Sequence, residues 1–214
     1  MRMIAIVLVS AVTFAISVRS QGFLNLDFES AYGLPGDPGF HGTPIPVTNA
    51  LPGWTAYGGP ALADIYYVSN SFPGASTAVE LESGSLALNG TFSVGLYGGG
   101  SITQTGPVPE NAESLQFEAS SALNLEVTLG GQNLSYSALS KGLGYTVYGA
   151  NIPGILDGQM EELSFIGGSD IVLDNIQFSP MSIPEPGELC LIGVGAVLFG
   201  VWRKRKDVWP QKNA

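Results

Sequence analysis

Short runs of alternating apolar and polar residues, separated by glycine and proline, constrain this chain more than any other feature. In residues 123–129 every second residue is leucine or valine, Gly130-Gly131 predicts a tight turn, and residues 134–139 predict the returning strand. The other runs are 61–68, 77–81, 92–97, 101–105, 114–118, 144–148, 161–165 and 171–178. Because these runs have period two and none has a convincing helical pattern, the sequence predicts an all-β fold, an antiparallel β-sandwich.

The first such run follows Gln21. In residues 22–30, Leu24, Leu26 and Phe28 alternate with polar residues, which predicts a half-buried first strand. Residues 30–53 are rich in glycine and proline and predict a long loop that no helix occupies. Trp54 follows this loop and is predicted to pack in the core.

The C-terminus has three physically different parts. Pro184-Glu185-Pro186 disfavours helix, the uncharged residues 189–202 favour hydrocarbon, and Arg203-Lys204-Arg205-Lys206 forms a cationic stop. As a helix, residues 189–202 would be about 21 Å long, shorter than a hydrocarbon core of about 30 Å. An ordinary tail anchor or a buried core helix is the alternative, although a core helix rarely ends in four successive cations.

This order of parts resembles the PEP-CTERM sorting signal of bacterial surface proteins. Pro184, Glu185 and Pro186 match the motif residue by residue, and the basic cluster Arg203, Lys204, Arg205 and Lys206 follows the apolar span. The resemblance implies that a membrane enzyme, exosortase, cleaves near the motif and passes the protein to the cell surface or the exopolysaccharide matrix. The span is brief and residues 207–214 trail the cluster, which departs from the family pattern.

The N-terminus predicts a secretory leader. Arg2 supplies the positive charge, residues 4–16 form an apolar stretch, and Val18-Arg19-Ser20 gives a small-residue exit. The predicted organisation is therefore a helical signal peptide (1–20), a β-sandwich domain (21–180), a sorting signal (181–206) with a transmembrane helix (188–202), and a cytoplasmic tail (207–214). We expect the protein to be exported across the inner membrane, membrane-anchored before processing, and retained at the surface, in the envelope or in the extracellular matrix.

The charge is unevenly distributed. Between residues 21 and 183 there is one basic residue, Lys141, against fifteen Asp and Glu residues. The resulting negative electrostatic potential repels nucleic acid and anionic surfaces, so nucleic acid is not an expected partner. The only cysteine, Cys190, lies in the apolar tail, and the body therefore has no disulfide.

The first and last runs of the body suggest a second resemblance. Asn25-Leu26-Asp27-Phe28-Glu29, the later Pro52-Gly53-Trp54 and the closing residues 172–178 are similar to the galactose-binding-like jelly roll of many carbohydrate-binding modules. The resemblance implies paired terminal strands beside a structural Ca²⁺, with Glu29 and Asp174 at the matching carboxylate positions. Since Ca²⁺ takes six to eight oxygen ligands, backbone carbonyls and Asp27 or Asn25 would have to contribute. Alternatively, both carboxylates simply face solvent.

Catalytic chemistry has little support in the sequence. The only histidine, His41, lies in the Gly/Pro-rich loop, so a Ser-His-Asp arrangement would depend on that residue. A glycan-active enzyme with a carboxylate pair is the alternative function, using Glu80 with Glu82 or Glu161 with Glu162. Residues 80 and 82 would share a face of a strand, whereas 161 and 162 would diverge.

Glycan binding needs exposed aromatic rings beside amides or acids. Tyr66, Tyr67 and Tyr57 are the candidate platforms, and only one of the adjacent pair Tyr66 and Tyr67 can be buried on a strand. The sequence therefore predicts an exported, non-catalytic surface or matrix protein with a structural or glycan-binding body. Its expected partners are the membrane, an exosortase-type enzyme and exopolysaccharide.

Overall fold

The computed structural model describes residues 22–36, 42–58, 61–62, 65–69 and 78–184. The predicted signal peptide, transmembrane span and cytoplasmic tail lie outside these residues, as do His41, Glu185, Pro186 and the basic cluster at 203–206. Within the described part of the chain, no helix is both long enough and apolar enough to cross a membrane.

The described residues form mainly β-strands. In chain order, the elements are β1 (Thr43–Ile45), α1 (Val47–Ala50), β2 (Thr55–Gly58), β3 (Ala61–Leu62), β4 (Ile65–Val68), β5 (Val79–Ser83), β6 (Phe92–Leu96), β7 (Gly100–Pro107), β8 (Ser114–Ala119), β9 (Leu125–Leu129), β10 (Gln132–Asn133), β11 (Tyr136–Lys141), β12 (Thr146–Asn151), a 3₁₀ turn (Gly154–Leu156), β13 (Met160–Gly167) and β14 (Ile171–Ser179). Most of the predicted runs are therefore strands.

Two sheets pack around one core. The larger sheet has the order β1-β4-β5-β6-β14-β8-β12-β11, and the smaller sheet has the order β10-β9-β13-β7-β2-β3. The predicted all-β, sandwich-like class is confirmed. The pairing is not antiparallel throughout, because β4 and β5 are parallel, with Ile65 opposite Val79.

The alternation of buried and exposed residues along the strands shows which side chains form the core. In β7 every second residue is buried, and β9 shows the same pattern because Leu125, Val127 and Leu129 face inward. Trp54 is also buried, as predicted, and its ring contacts Phe28 and Phe165 at centroid distances of 5.8 and 6.5 Å. Apolar side chains from both sheets thus form a single continuous cluster.

The prediction of a first strand at residues 22–30 is wrong. Asn25 and Phe28 have left-handed backbone angles (φ 50° and 57°), which interrupt an extended chain. Leu24 is exposed, whereas Leu26 and Phe28 are buried. A left-handed residue costs about 1–2 kcal/mol, and burying a large apolar side chain contributes about 1.5–3 kcal/mol. Burial therefore outweighs local geometry at Phe28.

Two further local predictions need correction. Residues 30–53 are not all loop: they contain β1 and one helical turn, α1, which follows Pro46, and the Ala50 amide donates to the Pro46 carbonyl at 3.0 Å. Proline at the helix start removes no helical hydrogen bond, so it does not exclude this turn. Pro44 lies in β1, an edge strand, where its missing amide is tolerated.

The hairpin after β9 is shorter than predicted. Gly130 and Gly131 both have positive φ and form the turn, but of the residues that follow the turn only those of β10 pair with β9. The chain then crosses to the larger sheet, where β11 pairs with β12. The alternation within residues 134–139 is compatible with either sheet, so it predicted a strand but not its neighbour.

Candidate functional site

Residues 22–30 lie beside β14 and form one wall of a small cavity. The Ile176 amide donates to the Leu26 carbonyl at 2.9 Å, which fixes this segment to the last strand. The cavity has a volume of about 160 Å³, and its lining residues are Asp27, Glu29, Asn89, Gly90, Asp174 and Asn175. The two carboxylates that the sequence singled out for calcium, Glu29 and Asp174, therefore lie in one cavity.

Glu29 holds the loop before β6. Its Oε1 accepts hydrogen bonds from the backbone amides of Thr91 (2.6 Å) and Phe92 (3.0 Å). Gly90 has φ +63°, and a Cβ at this position would lie 2.2 Å from Glu29 Oε1. The close approach of the carboxylate thus requires glycine at residue 90.

Asp174 is almost fully buried and accepts three hydrogen bonds. Its Oδ2 accepts from Ser93 Oγ (2.7 Å) and the Asn89 amide (3.2 Å), and its Oδ1 accepts from the Asn175 amide (2.7 Å). Burial raises the pKa of Asp174 to about 6, the bond from Ser93 lowers the pKa, and the charge of Glu118 raises it further. Desolvation outweighs the hydrogen bonds here.

The donor chemistry of this cavity suits a hard cation, because its walls offer carboxylate and amide oxygens. However, Glu29 Oε1 and both oxygens of Asp174 already accept N–H or O–H donors. Among the described residues, no group of three or more His, Cys, Asp or Glu side chains is arranged to hold a metal ion. A calcium ion would therefore depend on amide oxygens of Asn89 and Asn175 as well as on the carboxylates.

Asp174 belongs to a row of polar side chains that crosses the outer face of the larger sheet. Glu82 lies opposite Ser93, and Asp174 lies opposite Glu118. We call these four residues the polar row. All four side chains are buried, at 0–7% exposure, and Lys141 is the only Lys or Arg between residues 21 and 183.

Glu82 is bonded to a tyrosine rather than to a cation. The Tyr97 hydroxyl donates to Glu82 Oε1, and burial raises the pKa of Glu82 to about 7, with the nearby charge of Glu80 acting in the same direction. Burial and the charge of Glu82 also raise the pKa of Tyr97. Gly95 makes room for this pair, because a Cβ there would lie 2.3 Å from Glu82 Oε1 and 2.5 Å from the Tyr97 ring.

Glu118 completes the row. Its Oε1 accepts a hydrogen bond from Asn175 Nδ2 at 3.0 Å, whereas its buried Oε2 has no hydrogen-bond partner among the described residues. Because like charges directly opposite each other repel, the charge of Glu118 contributes to the raised pKa of Asp174.

The three tyrosines predicted to bind glycans lie on different surfaces. Tyr66 lies on the outer face of the larger sheet, opposite Glu80 of the parallel neighbour β5. Tyr67 packs against the core and Phe92, with ring centroids 6.2 Å apart. Tyr57 belongs to β2 in the smaller sheet. The structure therefore does not bring them together as one platform.

The described chain ends beside a groove. After β14, Ser114 Oγ donates to the Met181 carbonyl at 2.7 Å, and the backbone of Ile183 is bonded to the side chain of Asn151. The groove has a volume of about 440 Å³ and includes Pro184, the first residue of the sorting motif, in its wall. The contacts of Met181 and Ile183 with the body thus lie directly before Pro184.

Several residues of these arrangements were not singled out from the sequence. They are Ser93, Gly95, Tyr97, Glu118, Asn151 and Asn175. A glycine inside an apolar run, such as Gly95, was the one available signal, since it often marks a close approach.

No family model matches the sequence, and no curated protein matches it.

Proposed function

We propose that this chain is an exported, non-catalytic surface or matrix protein that is sorted through its Pro184-Glu185-Pro186 tail. The observation that supports this proposal best is that the last described residues fixed to the body, up to Ile183, lie directly before the motif. In this proposal an exosortase-type membrane enzyme cleaves near the motif, and the body remains in the envelope or the exopolysaccharide.

The sorting function is tested by replacing Pro184-Glu185-Pro186 with three alanines. We expect an uncleaved, membrane-bound form, measured by cell fractionation and the intact mass of the recovered protein. Glu188→Ala is the matched control, because it removes a carboxylate of the same linker outside the motif, and we expect normal maturation. Normal maturation of the triple-alanine variant would exclude the assignment of the tail.

The placement of the candidate acid pairs supports a non-catalytic body. Glu80 and Glu82 are 0% and 1% exposed, so neither carboxylate reaches a polysaccharide from solvent. Glu161 and Glu162 are consecutive in β13 and point to opposite faces of the sheet. A carboxylate mechanism needs two acids that face one bond across a cleft.

A glycan-binding role for the body is part of the proposal, with the sandwich assigned as a jelly roll. Tyr66 is the best-placed platform, because it lies on the outer face of the larger sheet and is partly exposed, whereas Tyr67 packs against the core. A glycan array of the full chain, run with and without chelator, tests this role. We expect Tyr66→Ala to lose binding and Tyr57→Ala, on the other sheet, to keep it; equal binding by both variants and the parent would rule out Tyr66.

A structural Ca²⁺ is the second part of the proposal, and it is supported by the shared cavity of Glu29 and Asp174. The ion would link residues 22–30 to β14, and Asp27, Asn89 and Asn175 would supply further oxygens. At a free calcium concentration one hundred times the dissociation constant, binding stabilises the fold by about 2.7 kcal/mol. We expect calcium to raise the melting temperature, chelator to reverse the rise, and Glu29→Gln to abolish it. A melting temperature that does not respond to calcium would refute the site.

A further inference from the structure

We propose that Asn151 is a positioning residue for the sorting motif: it holds residues 180–184 against the body, and these residues must detach before a processing enzyme can bind Pro184-Glu185-Pro186. This inference rests on the proposed sorting function. We call residues 180–184 the C-terminal strap.

Asn151 bonds both backbone groups of one residue. Its Oδ1 accepts from the Ile183 amide at 2.6 Å, and its Nδ2 donates to the Ile183 carbonyl at 2.9 Å. The Asn151 side chain thus makes the two hydrogen bonds that a neighbouring strand would otherwise make to the backbone of Ile183. Since Pro184 has no amide hydrogen, Ile183 is the last residue before the motif that can be held in this way.

A notch in the sheet receives the Ile183 side chain. Gly149 of β12 has no side chain, and a Cβ there would lie 2.2 Å from Ile183 Cδ1 and 2.7 Å from Leu139 Cδ1. Ile183 is consequently buried although it lies beyond the last strand, whereas Met181 is exposed. Upstream, Ser114 Oγ donates to the Met181 carbonyl at 2.7 Å. The strap therefore has defined contacts along its length.

The length of the linker makes these contacts relevant to processing. Residues 184–188 separate Ile183 from the apolar span, and five extended residues reach at most about 18 Å. A membrane enzyme that binds the motif in this space would meet the body itself. Release of residues 180–183 adds about 14 Å of reach. Detachment of the strap thus gives the enzyme room without unfolding the sandwich.

The strap can detach locally because few of the groups that hold it are buried. Asn151 is exposed, and Ile183 is the one buried side chain of the strap. Segments with few buried contacts open far more often than the core. The groove beside Ile183 also leaves open space next to the released residues.

Hydrogen exchange of the purified full chain in detergent measures this opening directly. The Ile183 amide reports on the strap, and the Leu24 amide, which donates to the buried Gln104 side chain, is the internal reference. Gly149→Ala inserts a methyl group under Ile183 but keeps Asn151. We expect exchange at Ile183 to accelerate about tenfold in this variant, with exchange at Leu24 unchanged and a loss of stability no larger than that of Ile183→Ala. Unchanged exchange at Ile183 would overturn the fastening.

The second measurement is the rate at which precursor converts to mature protein in cells, followed by pulse-chase. We expect faster conversion of Asn151→Ala and Gly149→Ala, with Asn151→Asp, which keeps the acceptor for the Ile183 amide, between them and the parent. Asn133→Ala, in the same groove but without a bond to the strap, should convert at the parent rate. Equal or slower conversion of Asn151→Ala overturns the proposal.

The two proposals fail in different ways. If the triple-alanine variant of the motif matures normally, the sorting function is wrong, while the exchange of Ile183 still reports whether the strap is fastened by Asn151 and Gly149. If the motif is required but Asn151→Ala changes nothing in the rate of conversion, sorting stands and the positioning role of Asn151 is wrong.

Discussion

Residues 22–30 and the C-terminal strap, at the two ends of the described chain, are held by the same kind of hydrogen bonding. In each, a side-chain amide bonds the N–H and the C=O of one backbone residue: Gln104 holds Leu24, and Asn151 holds Ile183. The first amide belongs to the smaller sheet and the second to the larger one.

The two ends differ in what lies under the amide. Residues 22–30 bury Phe23, Leu26 and Phe28, and the Phe23 ring stacks on Phe178 at 5.2 Å. The strap buries Ile183 alone. The two segments therefore have equivalent hydrogen bonds, but residues 22–30 bury three large apolar side chains and the strap buries one. Because apolar burial dominates the free energy of such segments, the first end is part of the core and the second can open.

The largest expected effect is at the apolar anchors. We expect Phe28→Ala to lower the free energy of unfolding by about 3–5 kcal/mol, since Phe28 is fully buried. Ile183→Ala should cost about 1 kcal/mol, because the strap can leave while the core stays packed. Urea unfolding of both variants measures the difference, and equal costs would contradict the comparison.

The second effect concerns pH, and we expect it at the buried acids of the larger sheet rather than at the strap. The pKa of Glu82 is raised from 4.5 to about 7, and that of Asp174 from 3.8 to about 6. A raised carboxyl pKa stabilises the fold fully below the unfolded value, and this stabilisation is lost as pH rises through the folded value. The fold should thus be more stable at pH 5 than at pH 8, by on the order of 3 kcal/mol for Glu82.

Urea unfolding between pH 4 and pH 8 measures this dependence. Glu82→Gln removes the charge but keeps a partner for the Tyr97 hydroxyl, so the curve should flatten and the variant should exceed the parent in stability at pH 8. The described residues that line the groove beside the strap include no carboxylate, and exchange at Ile183 should change little with pH beyond its intrinsic dependence. If the parent protein were most stable at pH 8, the prediction that buried Glu82 and Asp174 destabilise the fold when they ionise would be wrong.

The smallest effect separates the two amides. Gln104 is buried, so Gln104→Ala leaves the backbone groups of Leu24 without partners and should cost about 1–3 kcal/mol. Asn151 is exposed, and water can replace its bonds to Ile183, so Asn151→Ala should cost about 0.5 kcal/mol or less. Thermal unfolding of the two variants gives the ranking, and a larger loss for Asn151→Ala would reverse the assignment of the two ends.

Much of the fold could be predicted from residue patterns. Period two identified β6, β8, β13 and β14 closely, because alternation records which side chains face the core. The same pattern at residues 22–30 was misleading, since Leu26 and Phe28 reach the core through left-handed turns at Asn25 and Phe28. Sequence periodicity predicts which residues are buried, but it does not fix the backbone conformation, because more than one conformation can bury the same residues.

The candidate site was predictable only in part. Glu29 and Asp174 were named from a resemblance, and the structure places both in one cavity. The burial of Glu80 and Glu82 was not foreseen, because strand periodicity puts them on the polar face. The predictions of calcium, glycan binding and sorting stay predictions.

The sequence by itself determined that the body is a β-sandwich with one basic residue, and it marked a chemically distinct tail. These are properties of local pattern and composition, which need no knowledge of neighbours. Only the tertiary structure decided that four polar side chains share one buried row, and that one exposed asparagine fastens the chain directly before the tail. Both depend on strand register and crossing, which bring together residues such as Asp174 and Glu118, and local patterns do not encode that pairing.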